Sequence, residues 1–398
     1  DAVHRESGRI YRVRYGPPAS GPVRPPQDFD GLDRWLRHPN VWFARRARLL
    51  VQERKAAGTL PEDWVRRLTE RFEQEDGNPF RDGGASNLTA GVDGKLGVTS
   101  DLTLDFTLNP DFGQVEADPS EVNLTAFETF LQEKRPFFIE GNDILELRLA
   151  PAITGGRFVR DRLFYSRRIG ASPAHSPDLD DDEYAEEPAN TSIIGAFKLS
   201  GKTPGGLSIG VLNSMTSTER AVIDQLGEHR RETVEPFTNY FVGRLQQDFR
   251  GGDTQVGLML TSVHRQIDEP HLEFLTSQAY AAGADFSHYF KNRDYRIEGN
   301  FVGSHLRGSQ EAIEEVQTAS ARYFQRPDNS HVTFDPTRES LGGHSGSLRL
   351  TRTNYSQFVF QTGVAWRSPG FEINDLGFMR TADEINQFTW AGYYSRTP

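Results

Sequence analysis

The chain has 398 residues, a formal net charge of −11, no cysteine and a mean hydropathy of −0.60. This length allows two or more domains. The acidic balance argues against nucleic-acid binding as the main role, and the lack of cysteine excludes disulfides, thiolate catalysis and cysteine–zinc sites. No apolar run approaches the twenty residues of a membrane-spanning helix, although the strands of a membrane barrel carry their hydrophobicity in alternation instead.

Residues 1 to about 75 differ in pattern from the rest of the chain. Gly8–Tyr15 alternates as one strand, and a linker rich in Pro and Gly follows it. The spacing of apolar residues then predicts a basic helical segment at about Gly31–Ala57 and a short second helix at about Pro61–Phe72. A piece of this size is expected to be too small for a core of its own.

The sequence at Leu36–Arg48, LRHPNVWFARRAR, carries a resemblance within this first segment. It resembles the join between a sugar-dehydrogenase-like β-propeller and a helical-repeat region in large, membrane-bound dehydrogenases of the planctomycete type. The resemblance implies that residues 1–75 are a remnant of an unrelated protein whose cofactor and catalytic residues would lie upstream of Asp1. No dehydrogenase activity is therefore expected to carry over.

The remaining residues repeat one unit, in which two alternating strands flank a tight turn and a long polar loop follows. In Tyr280–Phe290 one parity carries Ala282, Ala284 and Phe286, while the other carries Asp285 and Ser287. Because successive side chains of a strand point to opposite faces, the first set forms an apolar face and the second a polar one. The pattern predicts five hairpins and one last strand, at about 87–108, 193–217, 238–266, 277–306, 342–367 and 388–395.

Short turns on one side and long loops on the other are typical of an all-β, antiparallel transmembrane β-barrel. A soluble β-sandwich is the alternative, because its strands alternate in the same way. Eleven strands is an odd number, whereas bacterial single-chain barrels have an even one, and the first connection, Val98–Asp101, is short. We therefore expect residues 76–398 to be an incomplete barrel with a long inter-strand segment at 109–192, joined to unrelated sequence near residue 75.

Four motifs after residue 78 carry a second resemblance, at Asn109–Pro119, Glu133–Gly141, Phe164–Gly170 and Gly370–Phe378. They resemble an uncharacterised outer-membrane β-barrel family of Gram-negative bacteria that usually follows a family-9-type carbohydrate-binding domain. The resemblance covers about four fifths of the chain and implies a place in the cell outer membrane with a link to carbohydrate. The carbohydrate-binding domain itself is absent from this sequence.

Two groups of residues are relevant to metal binding. Asp111, Glu116 and Asp118 place oxygen ligands at short spacings that could hold Ca²⁺, or their Asn-Pro-Asp and Ala-Asp-Pro units make turns through side-chain to backbone bonds. The ten histidines show no metal-binding spacing. His264 and His271 flank a loop and are expected to be exposed.

Catalysis has two candidates, and each has a simpler interpretation. Ser345 lies in Gly-His-Ser-Gly-Ser, which resembles a nucleophile elbow but lacks its last glycine and its strand–turn–helix context. A cluster of charged residues could contain a glycosidase-like carboxylate pair, or could be an ion-pair network that anchors a plug or loop. Its members are Glu128, Glu133, Lys134, Arg135 and Glu140.

We therefore predict an outer-membrane protein without a catalytic constellation, which passes or captures glycans or small solutes and has membrane lipid as its other partner. Its polar inner face would carry Asp285, Arg296, Glu298, Asn300 and Arg349, a mixed-charge lining without strong ion preference. Two alternatives stay open: a glycan-active hydrolase or sugar-dehydrogenase-related enzyme, and a soluble β-sandwich binding module.

Overall fold

The computed structural model describes residues 26, 28–36, 46–47, 50–51, 54–55, 59–67, 80, 90–110, 128–150, 160–180, 182–328, 330–352 and 357–395. The chain divides into two compact units, Asp1–Arg81 and Asp82–Pro398. The predicted strand at Gly8–Tyr15 lies outside the described residues.

The first unit contains a small apolar cluster. Helix α1 (Phe29–Leu36) buries Leu32 completely, and Leu32 packs there with Leu50 and Trp64. The rings of Phe29 and Trp64 meet edge to face with 6.3 Å between centroids. Other described helical residues, at 46–47, 50–51, 54–55 and 62–67, fall within the two predicted helical segments.

The second unit is mostly β-structure. Its described strands are β1 (Val92–Gly97), β2 (Leu102–Leu108), β3 (Glu183–Glu186), β4 (Ile193–Lys202), β5 (Leu207–Thr216), β6 (Glu219–Gln225), β7 (Glu228–Glu235), β8 (Thr238–Phe249), β9 (Thr254–Arg265), β10 (Thr276–Phe290), β11 (Tyr295–Gly308), β12 (Ser340–Arg352), β13 (Phe358–Arg367) and β14 (Glu384–Tyr393). Two helices accompany them, α2 (Pro136–Ile139) and α3 (Gln310–Thr318).

Eleven of these strands form one antiparallel sheet in the order β1-β2-β4-β5-β8-β9-β10-β11-β12-β13-β14. The five predicted hairpins and the single last strand are all present, so the predicted strand number is confirmed. β1 and β14 are the two edges among the described strands. The sheet is therefore not closed into a barrel, and the fold prediction is confirmed only as a large antiparallel sheet.

The connections have the predicted asymmetry. Among the described residues, one end of the sheet carries short turns, at 98–101, 203–206, 250–253 and 291–294. The other end carries long connections, at 109–192, 217–237, 266–275, 309–339 and 368–383. Gly206 (φ 84°) and Gly252 (φ 90°) lie in the left-handed region, where glycine has no Cβ clash. These turn residues explain why the hairpins could be recognised.

A second, three-stranded sheet was not predicted. It has the order β3-β6-β7 and lies within the long connections. The β6–β7 hairpin turns at Leu226 (φ 53°) and Gly227 (φ 92°), the two positive φ values that a tight hairpin turn requires. Within the described part of the chain, no helix combines the length and apolar character needed to cross a membrane.

One face of the large sheet, here the exposed face, presents apolar side chains to the surroundings. Leu258 in the middle of β9 is 58% exposed and Phe301 on β11 is 55% exposed. Their neighbours across the strands continue the pattern: Leu258 pairs with Leu245 and Ala284. Other large exposed residues of the sheet include Phe197, Leu260, Phe286, Leu348, Phe358 and Trp390.

The opposite face, here the covered face, is packed against residues of the chain's own connections. The inner segment (residues 128–150 and 160–180) and the connection between β13 and β14 contribute to one apolar core with the strands. Its members include Phe138, Leu145, Leu149, Leu163, Ile169, Val242, Met259, Ala281, Val302, Phe371 and Leu376. This core fills the half of the covered face that lies toward the long connections.

Two of the four sequence motifs, Phe164–Gly170 and Gly370–Phe378, contact each other in this core. Arg162 forms an antiparallel bridge with Phe378, and their backbone hydrogen bonds measure 3.0 and 2.9 Å. The Tyr165 N–H donates to the Leu376 carbonyl at 2.8 Å. The Phe164–Gly170 and Gly370–Phe378 motifs therefore pair as neighbouring backbone segments, although about 200 residues separate them in sequence.

Buried cations fasten the inner segment. Lys198, on the covered face of β4, is 1% exposed and donates to the carbonyls of Phe137 and Glu140 at 2.5 and 2.6 Å. Within the segment, the Arg135 guanidinium donates to the carbonyls of Ile169 and Ser166 at 2.7 and 2.9 Å. It also pairs with Glu133 at 2.7 Å. These bonds supply charged donors to backbone carbonyls in the core, of which the Ser166 carbonyl also accepts from the Ile169 N–H at 3.0 Å.

Replacing Arg135 by Met should destabilise the second unit by about 3–5 kcal/mol, because Glu133 and two carbonyls lose their buried partner. The matched control is Arg338→Met, since Arg338 and Asp335 are about 40% exposed and 3.5 Å apart and such a pair contributes about 0–1 kcal/mol. Urea unfolding in detergent measures both. Equal losses of unfolding free energy in Arg135→Met and Arg338→Met would contradict the structural role of Arg135.

Asp161, in the inner segment, is fully buried and forms an ion pair with Arg367 on β13. Burial raises the pKa of this carboxyl to about 6, although the Arg367 charge acts in the opposite direction. Arg367 also donates to the Thr381 carbonyl at 3.0 Å. The native state therefore binds a proton at Asp161 more readily than the unfolded chain does.

A raised pKa for an acid makes the folded state less stable as pH rises from the unfolded value to the folded one. The free energy of unfolding of the wild type, minus that of Asp161→Asn, should fall by about 2–3 kcal/mol between about pH 4 and pH 7. Asp328→Asn, at a side chain that is 85% exposed, is the control for the pH profile. A difference that stays constant with pH would contradict the shifted carboxyl.

Candidate functional site

A polar cleft of about 250 Å³ opens on the covered face, in the half that lies toward the short turns. The five residues predicted to line the inner face, Asp285, Arg296, Glu298, Asn300 and Arg349, all line it. Of its other polar members, Ser287 was placed by the sequence on the same polar face as Asp285, whereas Arg148, Gln255 and Ser347 were not predicted to line it. The structure thus brings the predicted residues into one place.

Strand register explains why these residues converge. Asp285 on β10 lies opposite Asn300 on β11, which lies opposite Ser347 on β12. One step toward the turns, Glu298 lies opposite both Ser287 and Arg349. Residues that share a parity point to the same face, so three antiparallel neighbours form two rows of polar groups.

The charges in the cleft are paired with one another. The Glu298 carboxylate contacts Arg296 at 2.9 Å and Arg349 on the next strand. Asp285 binds the buried guanidinium of Arg244 through both oxygens, one of them at 3.0 Å. The cleft therefore offers donors and acceptors side by side, and because two guanidiniums share the Glu298 carboxylate it carries one positive charge in excess.

Asn300 joins the cleft to the inner segment. Its Nδ2 donates to the carbonyl of Arg148 at 3.0 Å and to Ser347 Oγ at 2.9 Å. Its Oδ1 is buried and accepts no hydrogen bond from any described group. Buried polar atoms are nearly always hydrogen-bonded, so this oxygen lacks the partner that such an atom normally has.

The predicted carboxylate cluster forms separate ion pairs. Glu128 binds the Arg168 guanidinium at 2.9 and 2.6 Å, Glu133 binds Arg135, and Glu140 binds Lys95. Arg168 also donates to the Gly377 carbonyl at 3.1 Å. This arrangement anchors the inner segment, as the ion-pair interpretation predicts.

Ser345 lies inside β12, where it is 1% exposed and its hydroxyl donates to the Trp366 carbonyl at 3.1 Å. This is a sheet contact in the middle of a strand and not the exposed strand-to-helix turn of a nucleophile elbow. Asp111, Glu116 and Asp118, the candidate Ca²⁺ ligands, lie outside the described residues.

Comparison with known proteins gives one family. A family model described as a domain of unknown function (DUF5916) matches residues 71–398, which is most of the chain. No curated protein and no solved structure matches.

Proposed function

The chain belongs to the DUF5916 family, and we propose that its second unit acts as an outer-membrane β-barrel protein that passes or captures glycans or other small polar solutes. The observation that carries this proposal is the apolar exposed face of the eleven-stranded sheet, with Leu258 and Phe301 more than half exposed. Water-soluble monomers rarely present large contiguous apolar patches. A bilayer would bury this face.

Other features of the sheet support the same proposal. β8 to β11 are 12 to 15 residues long, enough for a tilted crossing of the hydrocarbon core, which takes about 9–11 residues. The short turns and long connections lie at opposite ends of the sheet, as in outer-membrane barrels. The location in Gram-negative bacteria follows the motif resemblance.

A membrane location sets a condition on the two sheet edges. Unpaired backbone groups cost several kcal/mol each in lipid, so membrane sheets close. Ile385 and Trp390 on the edge strand β14 are 79% and 50% exposed. The proposal therefore requires β1 and β14 to pair with further strands, from the same or another chain, in the membrane.

The cleft supports a polyhydroxylated solute as the cargo. Sugar hydroxyls donate and accept at the same time, and the cleft supplies both kinds of group through Asn300, Ser347 and the Glu298 pairs. Both carboxylates of the cleft are paired with guanidiniums, so the proposed solute does not need to carry a positive charge. Glycans are the proposed class because the family motifs resemble carbohydrate-associated barrels.

Leu258→Arg should destabilise the protein in lipid bilayers by about 2–4 kcal/mol, because a charge would face the middle of the bilayer. Phe249→Arg is the matched control: Phe249 is 49% exposed on the same face but ends β8 beside a short turn. At that position, near the membrane–water interface, the loss of unfolding free energy should be about 0–1 kcal/mol. Urea titration in vesicles measures both, and two small, equal losses would indicate a water-exposed face.

For the cleft, Asn300→Ala should weaken binding of neutral oligosaccharides about 10-fold, because the amide that joins the Arg148 carbonyl to Ser347 Oγ in the cleft wall is lost. Calorimetric titration of a panel of neutral and acidic oligosaccharides into the protein in detergent measures this. Ser262→Ala, on the exposed face of β9, is the control and should bind as the wild type does. If no sugar of the panel binds, the glycan assignment is wrong, while the Leu258→Arg result still decides the membrane location.

A further inference from the structure

Three ligating side chains meet among the long connections, far from the cleft. His175 lies near the end of the inner segment, Glu232 lies on β7, and His271 lies in the short helical turn Pro270–Leu272. One ligand atom from each lies within 4.8 Å of the others. His175 Nε2 is 3.0 Å from Glu232 Oε1, and the two imidazole rings are 4.9 Å apart between centroids.

Neighbouring groups hold these ligands in position. His271 Nε2 lies 2.7 Å from the Thr233 carbonyl. A carbonyl only accepts, so this nitrogen carries the proton and the lone pair of the neutral ring is on Nδ1. A metal-bound histidine almost always makes such a bond with its other nitrogen, because the bond fixes the tautomer and the ring orientation.

The carboxylate is oriented in the same way. Arg230 donates to Glu232 Oε2 at 2.7 Å and to Glu183 Oε2 at 3.1 Å, which leaves Glu232 Oε1 toward His175. Burial raises the pKa of Glu232, but hydrogen bonds from His175 and Arg230 outweigh it and lower the pKa below the ordinary value. Glu232 is therefore ionised at neutral pH, as a metal ligand must be.

We propose that His175, Glu232 and His271 bind a divalent transition-metal ion of the zinc class. Two imidazoles and one carboxylate suit zinc and its neighbours in the transition series, whereas Ca²⁺ takes oxygen ligands. Metal–ligand distances of about 2.0–2.1 Å place tetrahedral ligands about 3.4 Å apart. Side-chain rotations that close the cluster by about 1–1.5 Å complete three of four positions, and water takes the fourth.

The ion would join three parts of the chain that are distant in sequence. It would hold the loop that carries His175, the β6–β7 hairpin and the turn after β9 at one point. A ligand that binds only the folded form stabilises it, so the ion would stiffen this end of the second unit. The site is independent of the proposed membrane location, because it lies outside the eleven-stranded sheet.

The test is titration of the full chain in detergent, stripped of metal by a chelator, with Co²⁺ and Zn²⁺. We expect one equivalent of Co²⁺ to give visible absorption at saturation and Zn²⁺ to displace it. Glu232→Gln and His271→Ala should each weaken binding at least 10-fold. Arg230→Gln, which removes the orienting bond to Glu232 together with the pair to Glu183, should weaken it about 10-fold.

His264→Ala is the matched control, because His264 is exposed on β9 and lies outside the cluster. It should bind Co²⁺ as the wild type does. Circular dichroism confirms that each variant is folded, and Glu232→Gln keeps the size of the native side chain. Absence of saturable binding in the wild type would overturn the proposal. The proposal would also be overturned if Glu232→Gln and His271→Ala each bound Co²⁺ with the affinity of the wild type.

Discussion

Much of the second unit depends on buried cations that fasten the connections lying over the covered face. Lys198 on β4 donates to backbone carbonyls of the inner segment, and Arg135 joins two parts of that segment to each other. On the other side, Arg322 donates to the Phe371 carbonyl at 2.8 Å and pairs with Glu372. A connection that runs over a sheet face must satisfy its own backbone groups, and here charged side chains supply the donors. The core fills one half of the covered face, and the polar cleft lies in the other half.

This division connects the packing to the proposed function. In the half toward the long connections, Val302 and Ala281 meet the apolar inner segment; in the other half, the same strands present Asn300 and Asp285. Along β11 the covered face changes from apolar to polar within two residues, while the exposed face stays apolar at Phe301. The proposed membrane location would give the two faces different surroundings, lipid at the exposed face and water in the cleft.

The sequence predicted the hairpins well because two local signals agree, the period of two and the turn residues at positions such as Gly206 and Gly252. It also placed Glu298 and Arg349 on one face, and the register then made them neighbours. The contacts of the inner segment could not be predicted, since they join residues such as Arg168 and Gly377 that lie 209 positions apart. The β6–β7 hairpin was missed because its charged strand, Glu228–Glu235, shows little apolar alternation.

The histidine cluster shows the same limit for chemistry. Spacing rules find metal ligands that share one helix or loop, but His175 and Glu232 are 57 positions apart. His271 is exposed, as predicted, and exposure alone would have argued against a role for it. The contact that prepares His271 for a metal is the one between its Nε2 and the Thr233 carbonyl, which fixes the tautomer of the ring. Only the folded chain brings these two groups together. The two candidate sites therefore have different origins: strand register assembles the cleft, whereas packing of the long connections assembles the cluster.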